Sequence, residues 1–278
     1  MNNVGRPRQC KSVLEYDICT SLLPSVRERY SPLFDLLEIP EVLGSDLHAS
    51  QFGTVYFRDY DGEKYDNRWS EDPNSPAYGG KALGADLSSE MVRVIGDFRK
   101  VDIGWLLCHP VGKAINKAAF ALPGWLEWFQ ANQAVAASMG ISADEFGQAY
   151  ELIQSEFELA DCIFTNGDFY LRNLIKMPRS VVVVDWEYWH GSRSCFVDCI
   201  ANVAAFAFVH MWNNDLWQGE FLAAIPGTLG LSSEDFRKGV LVKSFEQASF
   251  WFRSGCPAWP PQVNLFRRAL LGNISWDI

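Results

Sequence analysis

The chain has 278 residues, 48% hydrophobic and 21% charged, a balance that excludes disorder as the dominant state. With 24 Lys and Arg against 34 Asp and Glu it carries a net charge of −10, which argues against nucleic acid as a partner and is compatible with a cationic small molecule. At roughly 150 residues per domain, the length predicts one large domain or two lobes sharing a cleft.

Taken in chain order, Val13, Leu14, Ile18 and Leu22 recur at helical spacing, and Pro24 is expected to end that run. Ile39-Pro40-Glu41-Val42-Leu43 reads as extended chain, Gly53–Phe57 as a strand, and Asp61-Gly62 as a turn. Residues 66–80 hold two Pro, two Gly and several turn formers, which marks a hinge between a front piece, 1–65, and a larger lobe, 81–278. Beyond it, Met91, Val94, Ile95 and Phe98 fit one helical face, as do Trp125, Trp128 and Phe129, and Phe146, Tyr150, Ile153 and Phe157. A strand at Cys162–Phe164, a polar loop, a strand at Leu174-Ile175, a turn at Pro178 and a strand at Val181–Val184 follow. From Asp198 the chain is mostly helical, broken near Pro226-Gly227 and at 257–261.

No apolar run approaches the roughly 18 residues that span a bilayer, so no membrane span is predicted. The polar, basic start (MNNVGRPRQCKS) does not read as a secretory signal. Seven scattered cysteines without a CxxC pair predict neither a disulfide framework nor a structural metal, and a cytoplasmic setting is expected. His48, His109, His190 and His210 are too dispersed for a metal site.

The segment that carries chemistry is Asn166-Gly167-Asp168-Phe169-Tyr170-Leu171-Arg172-Asn173, followed by Val181-Val182-Val183-Val184-Asp185-Trp186-Glu187-Tyr188. A hairpin built on the two flanking strands brings Asn173 and Asp185 close enough to share a divalent cation, with Asp168 facing the same space. Phosphoryl transfer needs this set of residue types: a carboxylate to orient and receive the proton of an attacking hydroxyl, and hard oxygen ligands for Mg2+.

These residues carry a family resemblance. Asn166-Gly167-Asp168-x-x-x-x-Asn173 resembles the HGDxxxxN catalytic loop of the aminoglycoside phosphotransferase and choline kinase superfamily, whose fold is protein-kinase-like. Val184-Asp185-Trp186-Glu187-Tyr188 is similar to its metal-binding segment, and Phe196-Val197-Asp198-Cys199-Ile200-Ala201-Asn202 to the F-D-I-A-N stretch that follows. The resemblance implies an α/β, two-lobe kinase-like fold with an abbreviated N-terminal lobe and a mainly helical C-terminal lobe. It implies Asp168 as the catalytic base, Asn173 and Asp185 as Mg2+ ligands bridging to the phosphates of ATP or another nucleotide, and Glu187 as a further metal contact. Asp198 would anchor the loop, through backbone amides or Arg172. Asn166 stands where the family has His; that residue supports the loop by hydrogen bonds, which Asn can also make. The acceptor would be a hydroxyl on a small molecule, either an amino-sugar, a choline-like compound or a sugar.

At the front, Val13–Cys19 resembles the family's glutamate-bearing helix, with Glu15 in the position that pairs with a nucleotide-binding lysine. Fourteen residues precede Glu15, which leaves no room for a glycine-rich hairpin plus a lysine strand; Arg6, Arg8 and Lys11 read as a solvated tail. Gly79–Gly84 fits no phosphate-loop pattern and reads as a linker. The front therefore predicts either a chain shortened relative to a complete kinase or a natural short form, and the alternative to an active phosphotransferase is a catalytically inactive kinase-like binding protein. Trp186, Trp189, Trp212, Trp217, Trp251 and Trp259 all follow the catalytic loop, which suggests an aromatic cage for a cationic acceptor.

Overall fold

The structure is a computed structural model that describes residues 6–10, 12–48, 53–64, 84–119, 124–154, 162–169, 173–186, 197–210, 228–257 and 259–272. It forms two compact units, the first from Met1–Asn67, Arg93–Ala121 and Ile163–Asp198, the second from Arg68–Val92, Leu122–Cys162 and Cys199–Ile278. The expected hinge at 66–80 lies outside the described residues.

In the first unit, β1 (Arg6–Cys10) pairs antiparallel with β4 (Gly53–Phe57), which pairs in turn with β3 (Val42–Leu47). Cys10, Cys19 and Val55 make the buried core of this sheet, with Tyr16, Val42 and Phe57 packed around it. The finding at β1 corrects the sequence expectation, since Arg6 and Arg8 belong to a strand rather than a solvated tail. Of its five residues only Cys10 is buried, so the strand shows no apolar alternation to read.

The helical run that follows also outlasts its expected end. Between α1 (Val13–Asp17) and α2 (Leu23–Tyr30) the chain widens into a π turn over Ile18–Leu22, closed by Leu23 N–H donating to the Ile18 carbonyl. Pro24 then falls in the first turn of α2, where its missing N–H removes no bond that α2 needs. The wide turn lets the chain pass a proline that would otherwise stop it.

A second sheet in this unit has the order β2 (Leu37–Glu38), β8 (Val181–Val183), β7 (Leu174–Lys176), β5 (Glu63–Lys64). The β7–β8 hairpin registers Leu174 against Val183 and Lys176 against Val181. Its apolar residues are buried, as the near-continuous Val run predicts. β2 is set in place by Asp97, near the end of α3 (Gly84–Phe98), which α4 (Ile103–Cys108) and α5 (Pro110–Ala119) follow. This wholly buried carboxylate accepts the backbone N–H groups of Asp35, Leu36 and Leu37 at 2.7–2.8 Å, and Lys100 Nζ lies 2.9 Å away. The bond to Asp97 raises the Lys100 pKa. A separate two-stranded ladder joins β6 (Cys162–Phe164) to β9 (Val197–Cys199).

The second unit is helical. α6 (Gly124–Ala131), α7 (Gln133–Ser138), α8 (Ala143–Ile153), α9 (Ile200–His210), α10 (Ser233–Arg253) and α11 (Trp259–Leu270) follow one another in chain order. Phe129 stacks on Phe146 with ring centroids 4.3 Å apart, and both meet Phe245 of α10. α9 and α10 approach closely because residue 239 is glycine; a Cβ there would stand 2.4 Å from the Ala201 carbonyl oxygen. Pro260 and Pro261 open α11 in its first turn rather than breaking it. No described helix is long and apolar enough to cross a membrane.

Candidate active site

The loop between β6 and β7 is held by two asparagines. Asn166, fully buried, donates from one amide nitrogen to two carbonyls, those of Asp168 and Val184, both at 3.1 Å. It thereby ties the start of the loop to the strand end that carries Asp185. A neutral imidazole in this place has one N–H at a time, so it could not make both bonds together. Asn173 closes the other end, its amide donating to the Asp168 carbonyl at 2.9 Å and to Asp168 Oδ2 at 2.8 Å. Gly167, at φ 76°, makes the turn that brings Asp168 back onto Asn173.

The hairpin places Asp185 beside this loop. Val184 N–H donates to the Asn173 carbonyl at 2.8 Å, so the residue after Val184 lies at the Asn173 end of the ladder. Asp185 has φ 63°, the left-handed region that costs a non-glycine residue about 1–2 kcal/mol. It is the single non-glycine residue there among those described. Its neighbour Trp186 is fully buried, donates Nε1–H to the Val183 carbonyl at 2.6 Å and stacks on Phe164 with centroids 4.9 Å apart. That anchor holds the strained turn.

Arg8 arrives from β1. Its Nη2 lies 2.8 Å from Glu15 Oε1 and 3.4 Å from Asp185 Oδ1. Glu15 is held at the start of α1, where its N–H donates to Ser12 Oγ at 3.1 Å, and its carboxylate is buried. A buried carboxylate needs a paired cation, and Arg8 provides it. Sequence reasoning found Glu15 but assigned it no partner; the clue was a cation on the short stretch before the Ser12-x-x-Glu15 cap. Behind the pair, Cys10 and Cys19 are buried, and the hydrogen bond with Cys10 together with burial pushes the Cys19 thiol upward.

Arg8, Asn173 and Asp185 line one cavity of about 310 Å³, within the first unit. Arg6 and Arg58 add positive charge along it, each paired: Arg6 with Asp59 at 2.6 Å and Arg58 with Glu41 at 2.9 Å. The remaining wall is apolar, from Pro40, Phe57, Tyr60, Ile175, Val184 and Trp186. Tyr60 is held by Glu41 N–H, which donates to its Oη at 2.9 Å, and burial raises its pKa. Sequence reasoning missed these wall residues, since apolar positions in short strands carry no signal that separates a slot from a core.

Among the described residues no group of three or more His, Cys, Asp or Glu gathers to hold a metal. Magnesium does not need one, because it takes one or two carboxylates and completes its shell with phosphate oxygens and water. With its amide nitrogen turned to Asp168, Asn173 has its carbonyl oxygen left as a hard donor, and the Asp185 side chain is 36% exposed. The donor set fits Mg2+. Glu187 and Arg172 lie outside the described residues, as do Trp189, Trp212 and Trp217. Asp198 sits half-buried in β9. Trp251 and Trp259 are half-buried on helices of the second unit, Trp259 against Phe252 with ring centroids 5.5 Å apart.

No family model and no curated protein matches the sequence. Solved structures do match the fold. The GDP complex of aminoglycoside 2'-phosphotransferase-IIIa aligns with 94% of this chain and 83% of its own, at TM-score 0.61 and 11% identity. Aminoglycoside phosphotransferase APH(4)-Ia, as a thermostable mutant, aligns with 96% and 86%, at TM-score 0.58 and 15% identity. A gentamicin complex of a third such enzyme aligns with 93% and 81%, at TM-score 0.52 and 12% identity. The chain has the protein-kinase-like two-lobe fold of the aminoglycoside phosphotransferases.

Proposed function

We propose that the chain is a nucleotide-dependent phosphotransferase that moves a γ-phosphoryl group to a hydroxyl of a small molecule. The observation that carries this reading is the convergence of Arg8, Asn173 and Asp185 on one cavity whose other wall is apolar. A flat apolar slot suits a base, and a cation beside a metal-competent carboxylate suits its phosphates.

In this reading Arg8 contacts the nucleotide phosphates, oriented by Glu15. Asn173 and Asp185 would hold Mg2+, and Glu187 adds a further contact to it. When bound there, the metal supplies positive charge against the transferring phosphoryl group. Asp168, positioned by Asn173, orients the acceptor hydroxyl and takes its proton as the oxygen attacks. Asp198 anchors the loop. Structures of fold neighbours contain GDP, ATP with streptomycin, and AMP-PNP with hygromycin B, so the donors and acceptors to try are ATP, GTP and cationic amino-sugars, with choline as a contrast.

The test is transfer of γ-labelled phosphate from ATP or GTP, with Mg2+, to that panel by the wild-type chain and by Asp168→Asn. Labelled product from the wild type and about a thousandfold less from the variant is expected. Nucleotide binding without transfer to any hydroxyl acceptor would overturn the enzyme reading in favour of an inactive kinase-like binding protein.

A further inference from the structure

We propose that Tyr60 reads the nucleobase: its hydroxyl donates to the ring carbonyl of an oxopurine, so the chain takes guanine or hypoxanthine nucleotides in preference to adenine. This rests on the reading of the cavity as a nucleotide site given above, and deepens it.

Tyr60 stands at the end of the cavity away from the phosphates. It packs over Ile175 and Val182, which are partners across the β7–β8 hairpin, and Met177 packs there too. Asn173 and Asp185 lie towards the other end of that hairpin, beyond Leu174 and Val183. A nucleotide with its phosphates at Asn173 and Asp185 therefore lays its base toward Tyr60, against Pro40, Phe57 and Ile175.

Tyr60 is 9% exposed, and its Oη accepts the Glu41 N–H at 2.9 Å. That bond turns a lone pair toward the protein and leaves the O–H as what the side chain offers to a ligand. Among the described residues nothing accepts this O–H. Arg6 and Arg58, on the same wall, are each engaged by a carboxylate, that of Asp59 and that of Glu41. Burial raises the Tyr60 pKa, so the phenol keeps its proton at neutral pH. A buried donor without an acceptor costs free energy that a ligand can recover.

A carbonyl oxygen meets such a donor with two lone pairs. The amino group of adenine, in the place of that carbonyl, would set donor against donor and leave both unpaired. One hydroxyl thus separates two bases of nearly equal size, which an apolar slot alone cannot do.

The experiment measures the affinities of the wild type and of Tyr60→Phe for GDP, IDP, ADP and pyrophosphate, each with Mg2+, by calorimetry. IDP and ADP differ in the group at issue, a carbonyl against an amine, and pyrophosphate has no base. The wild type is expected to bind GDP and IDP about tenfold tighter than ADP, and Tyr60→Phe to bring all three within about twofold. Both chains should bind pyrophosphate alike, which reports a folded variant with its phosphate end intact. A wild type that binds ADP as tightly as IDP overturns the proposal whatever the variant does. A variant that binds pyrophosphate and keeps the wild-type ratio of IDP to ADP overturns it too. In either case the nucleotide site stands; a wild type that binds none of the three nucleotides overturns both.

Discussion

The Asp168 loop and the front strand line one cavity, yet they are built by opposite means. Asn166, Asp168 and Asn173 are joined by short-range hydrogen bonds, in which two asparagine side chains hold the Asp168 carbonyl, the Asp168 carboxylate and the Val184 carbonyl. The front brings a guanidinium and two carboxylates together through charge, with Arg8 distant from Asp185 in sequence. The difference teaches a division of labour. Hydrogen bonds fix where the Asp168 carboxylate sits, while the ion pairs hold the Arg8 guanidinium by charge, which is less strict in direction.

The sharpest way to break this contrast is Asp168→Asn. Loss of the proton acceptor is expected to lower kcat about a thousandfold while nucleotide affinity, measured by calorimetry, stays within about threefold of wild type. A parallel fall in nucleotide affinity would mean that the loop and the front are not separable. Glu15→Gln probes the other side. With its orienting charge gone, Arg8 is expected to collapse onto Asp185, raising the KM for nucleotide about tenfold with a smaller change in kcat.

Asn166→Ala asks how much the network itself contributes. The Val184 carbonyl loses its Asn166 donor and the Asp168 carbonyl loses one of two, which is expected to cost about 1 kcal/mol in urea unfolding. Asn166→His should recover part of that loss, because it restores one donor of the two. Full recovery would show that the double bond adds nothing.

The smallest effect sets a baseline for an ion pair away from the site. Glu145 caps α8 and accepts from Arg267 Nε at 2.7 Å, and that bond holds its carboxyl below the usual value of 4.5. A lowered folded-state pKa means the stabilisation is present above pH 4.5 and is lost as pH falls through the lowered value. The melting-temperature difference between wild type and Arg267→Gln should therefore be modest at neutral pH and shrink in acid to what the Arg267 bond to the Gly140 carbonyl contributes; a difference that does not change with pH would assign none of it to the Glu145 charge.

What the sequence revealed follows the same division. Asp168, Asn173 and Asp185 were legible because they lie close together in sequence around two strands that read as apolar runs, and the hairpin register that joins those strands is local. Glu15 was legible from the resemblance of Val13–Cys19 to a glutamate-bearing helix. Arg8 was not, because β1 exposes most of its residues and its partner Asp185 is brought near by folding alone. Pro24 misled for a related reason: a π turn absorbs it, and no residue pattern announces such a turn. The packing of Trp186 on Phe164 at the cavity wall was not legible, because burial of a large aromatic depends on what packs around it.

The central claim is that Arg8 and Asp185 serve one ligand. It is tested most directly by a double-mutant cycle in a Glu15→Gln background, Arg8→Gln against Asp185→Asn, read by calorimetry as affinity for the magnesium complex of AMP-PNP. A shared site predicts that the two losses are non-additive, with a coupling of about 1 kcal/mol or more. Losses that add within about 0.3 kcal/mol would contradict it, and would place the cation and the carboxylate on separate tasks.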